Sequence, residues 1–508
     1  VPISLPLRLN IAERFLARPA REHPSRIAIL GEPRPFTYAE LAALAERAAG
    51  ALREAGCRPG DRVLVVLPDS AEFIAAFFGA ARLGAIAVPV NSNATVSDYA
   101  YLLADCLPRF AIVAENRVTT LLESGQANGL ERMFVAGGSP RSDAPRALAW
   151  DECLAKARPA TQAADTAASD PAFFLFTSGS GGRPKAAVHR HQDMLVTFEC
   201  YARGVLGLRP EDRTLSVSKL FFAYGMGNGM YFPLGVGAST ILYPERPRPE
   251  AIAELVARYR PTAFFAVPTF YGALLDRMDR GLRVDLSSVR LAVSAGETLP
   301  AELFTRCRDR LGIEILDGIG STEMLHMFLS PRPGLARPGS CGVEVPNYQA
   351  RVVDEDGRPV ERGDIGNLLV RGESAFAGYW NKPELTARTK RGDWVVTGDK
   401  FFQDEDGYFH HCGRSDDMMK VSGMWVSPGE VENALLAHDA ISEAAVVGRS
   451  FDGLTKPVAY VVARAKQASD AQFVANLREF LHGRLAGHKV PVEFHLVREL
   501  PKTATGKI

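Results

Sequence analysis

The first hundred residues alternate between two hydrophobic periods. "YAELAALAERAAGALREAG", which follows Thr37, spaces its apolar positions three and four apart, the pattern of a helix with one buried face. Thr37 and Glu40 form a capping box at its start: the hydroxyl takes the Glu40 N–H and the carboxylate takes the Thr37 N–H. A turn at Pro59, Gly60 and Asp61 leads into the apolar run "RVLVVL", then the helix "SAEFIAAFFGAARLG", then the strand "AIAVPV". Strand, helix and strand of these lengths predict a βαβ unit in a parallel sheet. The alternation returns after residue 200 with "TLSVSKL", "STILYP", the helix "PEAIAELVARYR" and strands in "TAFFAVP" and "LAVSAG".

Elsewhere the pattern changes. Residues 155–172, "AKARPATQAADTAASDPA", are Ala-rich, polar and irregular, and read as a surface connection. From about Val343 come short strands with Gly and Asp turns, which predict a small β-rich subdomain. After "HCGRSDDMMKVSGMWVSPGEVE" the chain has room for one compact module, whose first helix opens with Ser427 as cap, Pro428 at the first helical position and Glu430 at the third. The expected fold is α/β: a large N-terminal domain of βαβ-type sheets with a β-rich subdomain (1–415), then a small, mobile α+β domain (416–508). No short-period repeat is visible.

Composition narrows the classes. A chain of 508 residues is too long for one core. Lys and Arg number 59 and Asp and Glu number 59, so there is no electrostatic footprint for a nucleic acid. No apolar run approaches the ~20 residues of a membrane helix, and no signal-peptide core is present. No membrane partner is expected, and homodimerisation is left open. The absence of an initiator Met and the end inside "TGKI" suggest that the chain is trimmed. The 7 cysteines lie far apart with no CxxC spacing, which predicts free thiols in a reducing cytoplasm. His410, His411 and Cys412 are adjacent on a strand, so they alternate faces and cannot converge on one ion.

The segment 174–191, "FLFTSGSGGRPKAAVHRH", carries the first chemistry. Thr177, Ser178, Gly179, Ser180, Gly181 and Gly182 have little bulk, and Lys185 follows them. Backbone N–H groups wrapped around a ligand, plus one point cation, suit a polyphosphate. The pattern is neither a Walker A loop nor GxGxxG. "KAAVH" reads as a short strand with a helix starting near Met194, so the loop joins two strands. A flexible surface loop is the competing reading. "DGIGSTE" (317–323) would bring Gly318 and Gly320 close to a ligand and adds the Thr322 hydroxyl and the Glu323 carboxylate, which suit a phosphate oxygen and a bridging Mg²⁺. "TGDK" offers Asp399 to a ribose, and "GRSDD" supplies Arg414. Each of these alone is as readily a turn or a solvated charge.

Taken in order, "TSGSGGRPK", "SAGETLP", "DGIGSTE", "TGD", "GRSDDMMKVSGMWVSPGEVE" and "PKTATGK" resemble the adenylate-forming family of acyl-CoA synthetases, peptide-synthetase adenylation domains and luciferases. Two positions depart from the family: Gly181 stands where Thr is usual, and Ala186 where Gly is usual. The resemblance implies ATP, Mg²⁺ and CoA as cofactor and co-substrates. It assigns Ala295, Gly296, Glu297, Asp317, Gly318, Ile319, Thr322, Asp399 and Arg414 to ATP or AMP, together with the phosphate loop and Lys185. It makes Lys507, Thr322 and Glu323 catalytic, with Glu323 acting on Mg²⁺ through the triphosphate. It also implies a hinge at Asp416, and Lys420 and Gly423 on the path of the CoA thiol.

The acyl pocket is expected in "KLFFAYGMGNGMYFPL" (219–234). Phe222, Ala223 and Tyr224 would form flat walls there, with Gly225, Gly227 and Gly229 allowing close approach. Gly320 and His326 would complete it. The competing readings are a core-packing strand and turn, and a structural histidine. "KLFFAYGMGNG" and "GSTEMLH" are similar to the benzoate-CoA ligase branch, which implies an aromatic acid: benzoate, anthranilate or a hydroxybenzoate. Three alternatives stay open: an aryl-adenylating enzyme that loads a carrier-protein phosphopantetheine, a luciferase-like oxygenase, and a non-catalytic adenine-nucleotide sensor.

Overall fold

The computed structural model describes residues 3–31, 33–139, 144, 146–177, 183–421, 424–451, 454–464 and 469–501. Its first sheet has 8 strands in the order Gly378–Tyr379, Lys185–Arg190, Pro171–Thr177, Ile86–Pro89, Arg62–Val66, Phe110–Ala114, Arg132–Ala136 and Ala147–Ala149. The predicted βαβ unit lies at its centre. Arg62–Val66 pairs in parallel with Ile86–Pro89, and the helix Ala71–Arg82 crosses between them, capped by the Ser70 hydroxyl. Both strands are covered on two faces, which is why they read as continuous apolar runs.

A second sheet has 7 strands in the order Ile315–Asp317, Leu291–Ser294, Ala263–Ala266, Arg213–Ser216, Ser239–Ile241, Ile27–Leu30 and Phe36–Thr37. Its strands from Ile27 to Asp317 run parallel, so Ala266, Ser294 and Asp317 lie together at one edge. The capping box of Thr37 and Glu40 is formed as expected and opens the helix Tyr38–Glu54. The antiparallel strands Gln349–Val353, Gly366–Arg371, Trp394–Gln403 and Phe409–Arg414 make the β-rich subdomain. The irregular connection is shorter than the expected 155–172, since the helix Trp150–Lys156 and the strand Pro171–Thr177 take its ends, and it is partly buried: Arg82 donates to the Ala160 carbonyl at 2.6 Å.

One continuous apolar cluster joins both large sheets to this subdomain. A separate cluster begins at Met419 and packs the hairpin of Met419–Val421 and Met424–Val426, the helices Pro428–Leu436 and Asp470–His482, and the sheet of Ile441–Phe451, Leu454–Ala463 and Glu493–Leu496. The Ser427 cap on Pro428–Leu436 forms as read. Among the described residues no helix is long and apolar enough to cross a membrane, and no group of three His, Cys, Asp or Glu side chains could hold a metal. All seven cysteines are free thiols, and only Cys153 is not fully buried.

The helices Tyr38–Glu54 and Ala71–Arg82 pack closely because Gly79 faces Ala48. A Cβ at Gly79 would lie 2.8 Å from the Ala48 Cβ and 3.0 Å from the Ala49 nitrogen. Backbone cannot yield as a flexible side chain does, so Gly79→Val should cost about 1–3 kcal/mol, read as a lower thermal midpoint. An unchanged midpoint would show that the two helices can separate freely.

Candidate active site

Pro171–Thr177 and Lys185–Arg190 pair antiparallel, with Thr177 opposite Lys185. The glycine-rich loop therefore joins two strands, as its sequence implies. The following helix starts at His191, three residues earlier than expected, because Asp193 accepts from the Arg190 N–H at 3.0 Å and caps it. Ser178, Gly179, Ser180, Gly181 and Gly182 lie outside the described residues. The exit of the loop is held by Tyr101, whose hydroxyl donates to the Pro184 carbonyl at 2.6 Å.

Lys185 is half-buried, and its ammonium lies 4.4 Å from the centroid of the Tyr379 ring. The Tyr379 hydroxyl in turn donates to the Glu323 carboxylate. Burial lowers the Lys185 pKa, the Glu323 charge opposes this, and the nearby Arg414 adds to the lowering. Burial and the adjacent Glu323 carboxylate push the Tyr379 phenol well up, so it remains a donor. Lys185, Glu323 and Arg414 come from three distant motifs and share one electrostatic neighbourhood. Tyr379 is the residue that sequence reasoning missed; "FAGYW" carries no turn or charge signal that would have marked it.

Gly318 and Gly320 pack against the neighbouring strand Met327–Ser330: a Cβ at Gly318 would sit 2.6 Å from the Leu329 carbonyl, and one at Gly320 2.5 Å from that of His326. Asp317 is buried at the end of its strand. Its Oδ1 makes no hydrogen bond of good geometry within the protein, and burial pushes the carboxyl up to about 8.

Asp399 accepts from Arg414 Nη1 at 2.8 Å, and His411 Nε2 lies 3.7 Å from the same oxygen. Hydrogen bonding from His411 and the Arg414 charge outweigh the cost of burial and hold the Asp399 carboxyl below its usual range. His411 also shares a 2.6 Å hydrogen bond with Thr298, next to Glu297. Two motifs more than a hundred residues apart are thus tied by a histidine first read only for metal binding, whose neighbour His410 pairs instead with Asp404 at 3.0 Å. Ala295 is buried, and Gly296 has φ +89°, where a side chain would be strained. Glu297 Oε2 accepts from the Thr269 N–H at 3.1 Å and from its hydroxyl at 2.5 Å, while Oε1 has no partner.

Residues 223–231 are helical, not a strand and turn: Ala223–Met226 is α-helix and Gly227–Tyr231 is a wider π-helical turn. The three glycines here pack against the protein's own chain. Gly225 faces the Lys219 carbonyl, Gly227 the His326 ring, and Gly229 a methyl of Leu220. Phe222 caps the helix and lies 4.3 Å from Phe221, centroid to centroid. The Tyr224 and His326 rings are 5.6 Å apart, and Tyr201 and Phe232 flank the histidine at 5.2 and 4.6 Å. His326 is buried, neither ring nitrogen makes a hydrogen bond of good geometry, and burial pushes its pKa down to about 3, so it is neutral. The wall is anchored by Asp69, also missed in the sequence: it accepts from the Leu220 N–H at 3.0 Å, with Lys219 Nζ 3.6 Å away.

Asp416 is exposed in the turn between Phe409–Arg414 and Met419–Val421. Lys420 lines an open 400 Å³ cavity with Leu454, Lys456 and His488. Gly423 and Lys507 lie outside the described residues.

A benzoate–CoA ligase of Thauera aromatica is 42% identical to this chain, covering 100% of it and 96% of that protein. An anthranilate–CoA ligase of Pseudomonas aeruginosa is 36% identical over 89% of this chain and 86% of its own length. The crystal structure of the anthranilate CoA ligase AuaEII in complex with anthranoyl-AMP superposes with a TM-score of 0.94 at 39% identity, covering 99% of this chain and 96% of that one. The AMP-binding enzyme family profile matches residues 16–380, and the AMP-binding enzyme C-terminal domain profile matches 430–507. With the first profile alone spanning more than half of the sequence, the chain belongs to the AMP-binding enzyme family.

Proposed function

We infer that this chain is an AMP-forming aryl-CoA ligase, which activates an aromatic carboxylate with ATP and passes the acyl group to CoA. The observation that carries this reading is the convergence of Lys185, Glu323, Asp399 and Arg414, together with an aromatic cage around a buried, neutral His326. The identity of the full-length relatives supports both the acid class and the thiol acceptor.

A carboxylate becomes an acyl donor by attacking the α-phosphorus of ATP; the bond to pyrophosphate breaks and acyl-AMP forms. Two anions must meet, so catalysis rests on placed positive charge. Lys185 and the phosphate loop hold the β- and γ-phosphates, and the Thr322 hydroxyl orients a phosphate oxygen. Asp399, kept ionised by Arg414 and His411, accepts from the ribose hydroxyls. Ala295, Gly296, Asp317 and Ile319 bracket the adenine. Glu323 suits a Mg²⁺ held mainly by the triphosphate, which when bound neutralises phosphate charge. Lys507 bridges the substrate carboxylate and the α-phosphate.

The aryl ring lies against Phe222, Ala223, Tyr224 and the backbone at Gly320, where His326 meets its carboxylate or a ring substituent. We place the domain boundary at 415/416, with the hinge at Asp416. Rotation there withdraws Lys507 and brings Lys420 and Gly423 to the acyl-AMP, and CoA attacks the carbonyl with AMP leaving. Free thiols throughout suit a reducing cytoplasm. CoA-dependent AMP release, assayed over benzoates, aliphatic acids and amino acids, tests the assignment; turnover confined to non-aromatic acids overturns it.

Lys507→Ala should slow acyl-AMP formation by on the order of a hundredfold or more, while supplied acyl-AMP passes to CoA at the parent rate. Equal losses in both half-reactions would remove this role. Glu323→Gln should raise the Mg²⁺ concentration needed for half-maximal adenylation; an unchanged Mg²⁺ titration returns Glu323 to a structural part. Ala223→Leu puts three carbons where the ring should lie, and kcat/KM for benzoates should fall roughly five- to hundredfold, with less loss for propionate and none in Mg-ATP affinity. Parallel loss of benzoate and ATP would mean that Ala223 belongs to the core.

A further inference from the structure

The strand that carries Lys185 also carries a buried histidine with no part in the roles above. Lys185, Ala187 and His189 alternate onto one face of Lys185–Arg190, so the lysine and the histidine approach the same loop. His189 and Asp193 are both fully buried. His189 Nδ1 lies 3.0 Å from Asp193 Oδ2 and Nε2 lies 2.8 Å from the Thr322 carbonyl oxygen, both within hydrogen-bond distance, the second across 133 residues of chain. Asp193 also accepts from the Arg190 N–H at 3.0 Å and from the Arg190 guanidinium at 3.1 Å. Phe173 stacks on the imidazole at 5.2 Å and fixes its plane.

The loop that receives this bond needs holding. Leu325, three residues after Thr322, has φ +67°, a left-handed conformation that side chains resist, and its N–H closes a turn onto the same Thr322 carbonyl at 3.1 Å. On the other side, the Phe376 N–H donates to the Glu323 carbonyl at 2.7 Å, and Arg190 donates to the Glu373 and Ala375 carbonyls at 3.1 and 2.8 Å. The Lys185 strand and the Thr322 loop are therefore clamped to each other directly and through 373–376.

We propose that His189, held by Asp193, is a positioning residue for adenylation: its bond to the Thr322 carbonyl aims the Thr322 hydroxyl and the Glu323 carboxylate at the triphosphate. This rests on reading Thr322 and Glu323 as the nucleotide loop. The test compares two amides of the same chemistry. His189→Asn can still meet Asp193 but cannot reach Thr322, whereas His189→Gln extends a donor to the Nε2 position. Acyl-AMP formation should fall on the order of tenfold to a hundredfold in His189→Asn and stay within about threefold of the parent in His189→Gln, as expected for a loop misplaced by a fraction of an ångström. Capture of supplied acyl-AMP by CoA should be unchanged in both. Equal behaviour of the two variants, or equal loss in both half-reactions, overturns the proposal. Glu323→Gln is measured beside them. If it slows adenylation and His189→Asn does not, the positioning role alone fails; if neither slows it, the nucleotide-loop reading fails as well. Should His189→Asn not fold, Asp193→Asn carries the test: it should slow adenylation more than CoA capture, and equal effects on the two would overturn the role.

Discussion

The antiparallel pairing of Pro171–Thr177 with Lys185–Arg190 fixes both ends of a glycine-rich loop, and the site is built outward from that pair. A loop anchored at one end would spread the lysine over many positions, and its charge would be spent on solvent. Anchored at both ends, with Tyr101 bonded to the Pro184 carbonyl, Lys185 projects from a known register onto the Tyr379 ring. Gly378–Tyr379 pairs with the other side of the same strand, so Tyr379 and Lys185 are placed by one ladder. Glu323 then follows from the Tyr379 hydroxyl. The sheet thus supplies precision that side chains on free loops could not.

Local features were legible in the sequence because they depend on neighbours in the chain. The capping box at Thr37, the Ser427 cap and the βαβ unit are each set by residues within one or two turns, and each is present. The order of the motifs likewise revealed which segments must meet. What stayed hidden depends on partners far away. Tyr379, His411, Asp69 and His189 act through bonds to Glu323, Thr298, Leu220 and Thr322, and nothing beside them in sequence records those partners. The packing of the glycines stayed hidden for the same reason. An absent side chain admits a ligand or a neighbouring strand equally well, and at Gly318, Gly320 and Gly227 the neighbour is protein. Residues 223–231 turned out helical because tertiary burial of Met226, Met230 and Tyr231 overrides the poor helix propensity of three glycines.

The electrostatics of the site make sense only in relation to an anionic ligand. Burial lowers the Lys185 pKa and Arg414 lowers it further, so the two cations are held near each other at a cost that Glu323 offsets only in part. An anion bound beside them would raise the affinity of Lys185 for its proton, so anion binding and full lysine charge would favour one another. Among the buried polar atoms left without a hydrogen-bond partner, which are spread over much of the described chain, are Glu297 Oε1, Asp317 Oδ1 and both nitrogens of His326. Native interiors rarely leave such groups unpaired unless a ligand is to pair them. On the proposed assignment Glu297 and Asp317 belong to the nucleotide and His326, inside its aromatic cage, to the acid. On that assignment the acid and ATP are recognised by different parts of one fold, so an acyl-pocket substitution should change one without the other.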